Sequence, residues 1–355
     1  MKRSAGGIVR KGLLEPAVGF LVAVAFWPGI YGSATSPRWA IAAVSLWFLD
    51  WYVLPFIAVC FAVLEFDAAC HWAIVSAAFF WGLNGSARQQ VRRLQDHGLA
   101  VVAGYAIGIG CSGALAFCQK TLGYEGVYQI AAPAGLFLNK NLMGEAACLA
   151  LIAALCMRKW SLALLALPAL ILSTSRASML AVMVGLIVMT HGLLRYLLLS
   201  ALLLLGLSAY SAGLLDNTTL VQRLYMWQQA IEQLTWLGNG SYHLVAPTWT
   251  ETHLHNDWLQ AAFELGLVGI APLAVILAAG TSETYRPFIS ALFVIGCFGF
   301  PLQAPATAWL GAFIVGVALR DVLAQRRVLL PARLGNAQPR RSVRRTADLS
   351  FPILR

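Results

Sequence analysis

Long apolar runs constrain this chain before anything else does. Residues 13–31, 98–118, 193–211 and 258–280 approach or reach the about 20 residues that a helix needs to cross a hydrocarbon layer about 30 Å thick. A water-soluble core does not absorb such a chain: 59% of its 355 residues are hydrophobic, 11% are charged and the mean hydropathy is +0.72, whereas soluble domains carry about 25% charged residues. Shorter runs at 39–49, 52–66 and 69–83, divided by Asp50 and Asp67, read as short or tilted spans. The expected fold class is therefore an all-α integral membrane protein.

Lys and Arg positions test the span count, because basic residues collect in cytoplasmic loops. Lys2, Arg3, Arg10 and Lys11 put the N-terminus inside, and four spans later Arg88, Arg92 and Arg93 fall inside again. Spans at 98–118 and 140–157 lead out and back to Arg158-Lys159. Those at 160–172 and 177–190 do the same and return to Arg195. Span 193–211 exits into an outer segment, 211–257, and span 258–280 returns. Segments 287–300 and 303–319 form a last hairpin before a tail with nine Arg between 320 and 355. The expectation is about twelve transmembrane helices in a domain over 1–320, both termini cytoplasmic, and a basic, disordered tail over 321–355.

The formal net charge of +10 is on this reading mostly topological. No basic stripe interleaved with aromatics points to nucleic acid, and the tail is expected to lie along anionic headgroups or stay disordered. Residues 1–33 share features with a signal peptide, but an uncleaved first span is simpler. The seven cysteines all fall in apolar segments without metal-ligand spacing and read as packing residues. Asn-x-Ser/Thr triplets at Asn84, Asn217 and Asn239 carry little weight, since the pattern is short and the first is expected inside.

Polar clusters at span boundaries are the informative events, because ionisable groups near hydrocarbon are costly. There are three: Asn139-Lys140-Asn141, Ser173-Thr174-Ser175-Arg176-Ala177-Ser178, and His253-Leu254-His255-Asn256-Asp257. Each opens a helix running from outside to inside, so three helix N-termini are expected on one face, with unpaired N–H groups and positive dipole ends. Lys140 and Arg176 add cations, and together they suit a phosphate or diphosphate at the bilayer surface. The plainer alternative is that Asn139, Thr174 or Ser175, and Asn256 cap helices while Lys140 and Arg176 reach for water.

Segment 211–257 adds Arg223, Trp227, Glu232 and Gly238-Asn239-Gly240. Within it, 219–236 has apolar residues at helical spacing (Leu220, Leu224, Trp227, Ile231, Leu234) and reads as an amphipathic interfacial helix. Arg223 and Trp227 are one turn apart on it. His253 and His255, at i and i+2, do not share a helical face, so at most one points into a site. Metal binding by these histidines with Asp257 lacks a further ligand cluster. A Ser-His-Asp hydrolase lacks the Gly-x-Ser-x-Gly elbow. Gly104/Gly108 and Gly266/Gly269 suggest close helix packing.

The order Asn139-Lys140-Asn141, Thr174-Ser175-Arg176-Ala177-Ser178, Arg223 with Trp227, Gly238-Asn239-Gly240, His255-Asn256-Asp257-Trp258-Leu259-Gln260 and Glu264-Leu265-Gly266 resembles the O-antigen ligase and polymerase superfamily of bacterial envelope enzymes. The match covers roughly residues 130–280 and includes the large outer loop. The resemblance implies a metal-independent inner-membrane glycosyltransferase without a cofactor. Such an enzyme moves a glycan from undecaprenyl diphosphate, on the periplasmic side, to an acceptor. By position, Arg176 and Arg223 would bind the lipid-linked diphosphate, and His255 would be the catalytic, acceptor-activating residue. Asn139 and Asn141 would shape the site, Lys140 would add a third cation, and Ser175, Trp227 and Asn256 would join in substrate binding.

The chemistry agrees with the residue types. Two guanidiniums beside helix N-termini stabilise a diphosphate leaving group without a metal, and a neutral histidine, with an ordinary pKa near 6.5, serves as base or positioner. The acceptor remains open between lipid A–core for a ligase, a second glycan for a polymerase, and a protein for an O-oligosaccharyltransferase. The competing class is a polytopic lipid or solute transporter, whose substrate sites commonly lie near the bilayer midplane in interrupted helices.

Overall fold

The computed structural model describes residues 16–23, 58, 60, 62–64, 66–84, 92–123, 133–137, 139–211, 218–242, 254–299, 301–302 and 304–335. Among them the chain is helical and contains no strand. The helices are α1 (Phe66–Asn84), α2 (Arg92–Leu122), α3 (Lys140–Cys156), α4 (Trp160–Ser173), α5 (Arg176–Met189), α6 (Leu193–Ser211), α7 (Thr218–Glu232), α8 (Asp257–Leu265), α9 (Ala271–Ala279), α10 (Arg286–Phe298) and α11 (Pro305–Gly335). A 3-10 turn, Gly266–Ile270, joins α8 to α9. Most of the expected spans at 13–31, 39–49 and 52–66, together with His253, lie outside the described residues.

Three described helices are long and apolar enough to cross a membrane: Gly98–Leu122, Asp257–Ala279 and Ala306–Gln325. Shorter apolar helices, Trp160–Ser173, Arg176–Met189, Leu193–Leu204 and Arg286–Phe298, pack with or beside them. Leu164, Leu167 and Ile171 on α4, and Leu193, Leu197, Leu203 and Leu204 on α6, are exposed. So broad an apolar exterior is costly in water and favourable in lipid. These are the features of a membrane protein.

α3 is the centre of the bundle. Its sequence from Met143 to Leu155 is rich in Ala and other small or straight-chain residues, which favour helix and let neighbours approach on every side. That whole stretch is buried, and α2, α4, α5, α10 and α11 all contact it. It ends in a Schellman turn, in which the Arg158 amide donates to the Leu155 carbonyl at 2.9 Å and the Lys159 amide to the Ala154 carbonyl at 2.9 Å. At the end of α5, Arg195 caps the helix by donating to the carbonyls of Ile187 (3.2 Å) and Val188 (3.4 Å). A cation is favourable there because the last carbonyls carry the negative dipole end.

Close backbone packing supplies the rest. α1 and α11 meet where Gly82 lies against the Phe313 carbonyl and Gly316 against the Phe79 carbonyl. Gly104 on α2 lies against the Pro16 carbonyl, as its expected packing role requires. Gly266 behaves differently: it takes φ +61° and ends α8, so the expected span 258–280 is not one straight helix. Beyond it the chain bends until Gly269 abuts the Ala261 carbonyl. α11 in turn continues through 321–335, into the segment expected to be a disordered tail. Residues 336–355 lie outside the described residues.

Candidate functional site

All three expected helix starts form, and each is capped by the residue type that the sequence offers. Asn139 Oδ1 accepts from the Leu142 amide at 3.0 Å to open α3. Ser175 Oγ accepts from the Ser178 amide at 3.4 Å to open α5, and Asn256 Oδ1 accepts from the Leu259 amide at 3.0 Å to open α8. Capping is thus what these three side chains do in the structure.

The first two starts adjoin. Lys140 Nζ donates to Thr174 Oγ1 at 3.3 Å, and Gly144 lies close against the side chains of Ser173 and Ser175. Ser173 organises the turn by donating to the Leu170 carbonyl at 2.6 Å and accepting from the Ser175 amide at 3.2 Å. Thr174 sits in the left-handed region at φ 50°, which turns the chain into α5 and leaves Arg176 exposed at its first residue. Neither α3 nor α5 has an acidic residue in its first turn. Two positive dipole ends therefore meet with Lys140 and Arg176 and no carboxylate in either first turn, an arrangement that attracts anions. Asn141 is exposed on the same first turn.

The third start differs. α8 opens with Asp257, which is 1% exposed and accepts a hydrogen bond from the Leu302 amide. An acidic side chain thus occupies the first turn of α8, where α3 and α5 have none. The neighbouring His255 is half-buried, in the left-handed region at φ 53°. Residues on either side of it are tied down. Leu254 donates its amide to Gln260 Oε1 at 3.1 Å and accepts from Trp227 Nε1 at 2.7 Å, while Asn256 is the helix cap.

The helix expected over 219–236 forms over Thr218–Glu232 and contacts α8. Arg223 Nη1 donates to the Phe298 carbonyl at 3.2 Å, at the C-terminal end of α10. Met226 and Ala230 join Tyr242, Leu254 and Phe263 in a small core, with Trp227 and Leu259 packed against it. Leu224 and Ile231 of the apolar stripe are exposed on α7, as is Leu234 just beyond its end. With Val221 and Tyr225, also exposed, they form an apolar outer surface of the kind that lies on lipid.

Gly238-Asn239-Gly240 and Glu264-Leu265-Gly266 are two halves of one joint. The Asn239 and Gly240 amides donate to the carbonyls of Phe263 (2.9 Å) and Glu264 (3.3 Å), and the Leu267 amide donates back to the Trp236 carbonyl at 3.1 Å. Carbonyls orphaned by the end of α8 are thereby satisfied. Gly238 and Gly266 are required: both have positive φ, and a Cβ on either would meet the other segment's backbone, the Glu264 and Trp236 carbonyls respectively.

Beneath the site lie three buried carboxylates. Glu264 accepts from the Tyr242 amide at 3.1 Å and from Gln260 Nε2 at 2.9 Å. Glu145, 2% exposed on α3, has its carboxylate against Gly299, next to Phe298. Glu145 did not emerge from the sequence clusters; its signal is a lone carboxylate in an otherwise apolar span. Among the described residues no group of three or more His, Cys, Asp or Glu is arranged to hold a metal ion.

Lys140, Ser175 and Arg176 thus share one patch. Arg223, Trp227, His255 and Asn256 share a second, and Glu145, Gly299 and Phe298 lie between the two. No hydrogen bond or ion pair involves the Arg176 side chain among the described residues. The sequence matches no protein-family model, and a comparison with curated proteins likewise gives no match.

Proposed function

We propose that the chain is a metal-independent membrane glycosyltransferase, which moves a glycan from undecaprenyl diphosphate to an acceptor on the periplasmic side. The observation that carries this reading is the Lys140–Thr174 contact. It joins two uncompensated helix N-termini and two cations into a patch suited to a diphosphate.

In this mechanism the donor's diphosphate rests on the amides that open α3 and α5, with Arg176 and Lys140 countering its charge. The acceptor hydroxyl loses its proton to His255 as its oxygen bonds to the anomeric carbon. The bond from that carbon to the diphosphate oxygen breaks, and the leaving lipid diphosphate keeps the electron pair. Arg223 donates from Nη1 to the Phe298 carbonyl, which ties α7 to the end of α10, and its remaining guanidinium donors are the second cationic group for the diphosphate. An O-antigen ligase with a lipid A–core acceptor is the preferred form. A polymerase or a protein O-oligosaccharyltransferase uses the same donor chemistry with another acceptor.

A carrier is the second reading, and one observation favours it. The α8–α9 segment is interrupted at Gly266 and has buried carboxylates beside it, as in transporters with broken helices. One assay separates the classes. Wild type, His255→Ala and Arg176→Ala are given a purified undecaprenyl-diphosphate glycan with chelator present, and lipid A–core or a second donor as acceptor. Product formed by wild type and lost in both variants supports the transferase. Lipid movement across proteoliposomes, lost in Arg176→Ala with no product from any protein, supports the carrier.

A further inference from the structure

At the opposite end of α3 from Asn139 lies a cleft of about 450 Å³, lined by Leu99, Cys156, Met157, Arg158, Lys159, Thr284 and Tyr285. We propose that this cleft binds a phosphate-bearing anion, chiefly the headgroup of an anionic phospholipid, between Arg158 and Lys159 on one wall and the α9–α10 turn on the other. It is a site separate from the glycosyl-transfer patch and does not depend on that reading.

Three observations support it. Arg158 occupies the C′ position of the Schellman turn with φ 58°, where glycine is the favoured residue. A cation near a helix C-terminus is ordinary, but neighbouring positions offer that charge without left-handed backbone. A strained residue held at a cleft is a reason to look for a ligand. The facing wall is the start of α10, whose first turn has no acidic residue; its Tyr285 and Arg286 amides are bonded to Ser282 (3.3 Å to Oγ and 2.9 Å to the carbonyl), so it adds the positive dipole end and not free amide donors. Burial, with lesser contributions from nearby Cys156 and Asp321, pushes the Tyr285 phenol up to about 12 against an opposing effect of Arg320, so it stays a neutral donor.

The acidic groups nearby do not cancel this charge. Neither of them lines the cleft: Asp321 lies behind it, tied to Ser282 Oγ at 2.7 Å and Gln325 Nε2 at 3.2 Å, and Glu283 is exposed on the turn, so Arg158 and Lys159 are the charged groups on the cleft surface. Leu99, Cys156 and Met157 give the remaining wall an apolar character that suits the start of acyl chains. Basic pockets between helices on the cytoplasmic side bind lipid headgroups in this way. The topology expected from the Lys and Arg positions puts Arg158-Lys159 on that side.

The test uses the full-length protein in phosphatidylcholine nanodiscs, adding phosphatidylglycerol or inorganic phosphate and measuring affinity and thermal unfolding. In Arg158→Gly/Lys159→Gln, affinity for phosphatidylglycerol should fall about 30-fold, the loss expected for two surface cations. Its unfolding temperature without added anion should be equal or higher, because glycine relaxes the turn. Thr284→Glu, an exposed position on the other wall, should weaken binding in the same way and guards against a folding defect in the first variant. Protection of wild type by phosphatidylglycerol and not by inorganic phosphate identifies the headgroup; equal protection by both identifies the free anion as sufficient. Wild-type affinity in both variants, or no stabilisation of wild type by either probe, overturns the proposal.

Discussion

The indole of Trp227 on α7 donates a 2.7 Å hydrogen bond to the carbonyl of Leu254, the residue before His255. Leu254 is fully buried, so this carbonyl has no recourse to water. One bond therefore couples α7 to the histidine loop, and Arg223, one turn earlier, couples the same helix to the end of α10.

Trp227→Phe keeps most of the packing and removes the donor. A buried carbonyl left without a partner costs about 1–3 kcal/mol. Thermal unfolding in detergent should shift down accordingly, and glycan transfer should fall at least about tenfold, because a small misplacement of a reacting group is expensive. An unchanged rate would show that the loop needs no support from α7.

His255→Gly separates catalysis from stability. Its backbone is left-handed at φ 53°, a region that glycine enters without steric cost. The variant should unfold at the wild-type temperature or above while losing transfer by about 100-fold or more, the usual scale for a general base. Wild-type activity in this variant would remove His255 from the mechanism.

Lys140→Met and Arg176→Ala address the anion patch. Each should raise KM for the lipid-linked donor, and the wild-type KM should itself rise with salt, since exposed cations are screened beyond about 10 Å at 0.1 M ionic strength. The double variant should show the two effects adding to within about 0.5 kcal/mol if they act independently, and departing from additivity if both grip one diphosphate. A salt-insensitive KM would argue against an electrostatic donor site.

Gly266→Ala and Gly192→Ala compare two glycines of positive φ (61° and 62°), of which Gly266 also has ψ −136°, outside the left-handed helical region. Gly192 has open space around it, whereas a Cβ on Gly266 meets the backbone of Trp236 and Gly238. Gly192→Ala should cost about 1 kcal/mol, the backbone term alone. Gly266→Ala should exceed 3 kcal/mol or prevent stable folding, the range of severe backbone and packing defects, measured by chemical unfolding in detergent.

Much of the site's local structure was legible in the residues. Asn139, Ser175 and Asn256 cap because a short polar side chain before an apolar helix has few other uses, and Thr218–Glu232 is helical because its spacing repeats with the helix. Which face of α7 would be buried was not legible. Its apolar stripe and its packed residues differ, because Met226 and Ala230 fit the small core with Tyr242 and Phe263 while Leu224 and Ile231 point outward.

The sequence by itself determined that this is a helical membrane protein with polar clusters at helix starts, because hydropathy and capping act over a few neighbouring residues. Tertiary structure decided that Lys140 reaches Thr174, that Gly238 and Gly266 form one joint, and that Glu145 lies beneath the same end as Asp257. Those relationships join residues that lie from about thirty to more than a hundred positions apart. They depend on how the helices pack, and no local pattern encodes that distance.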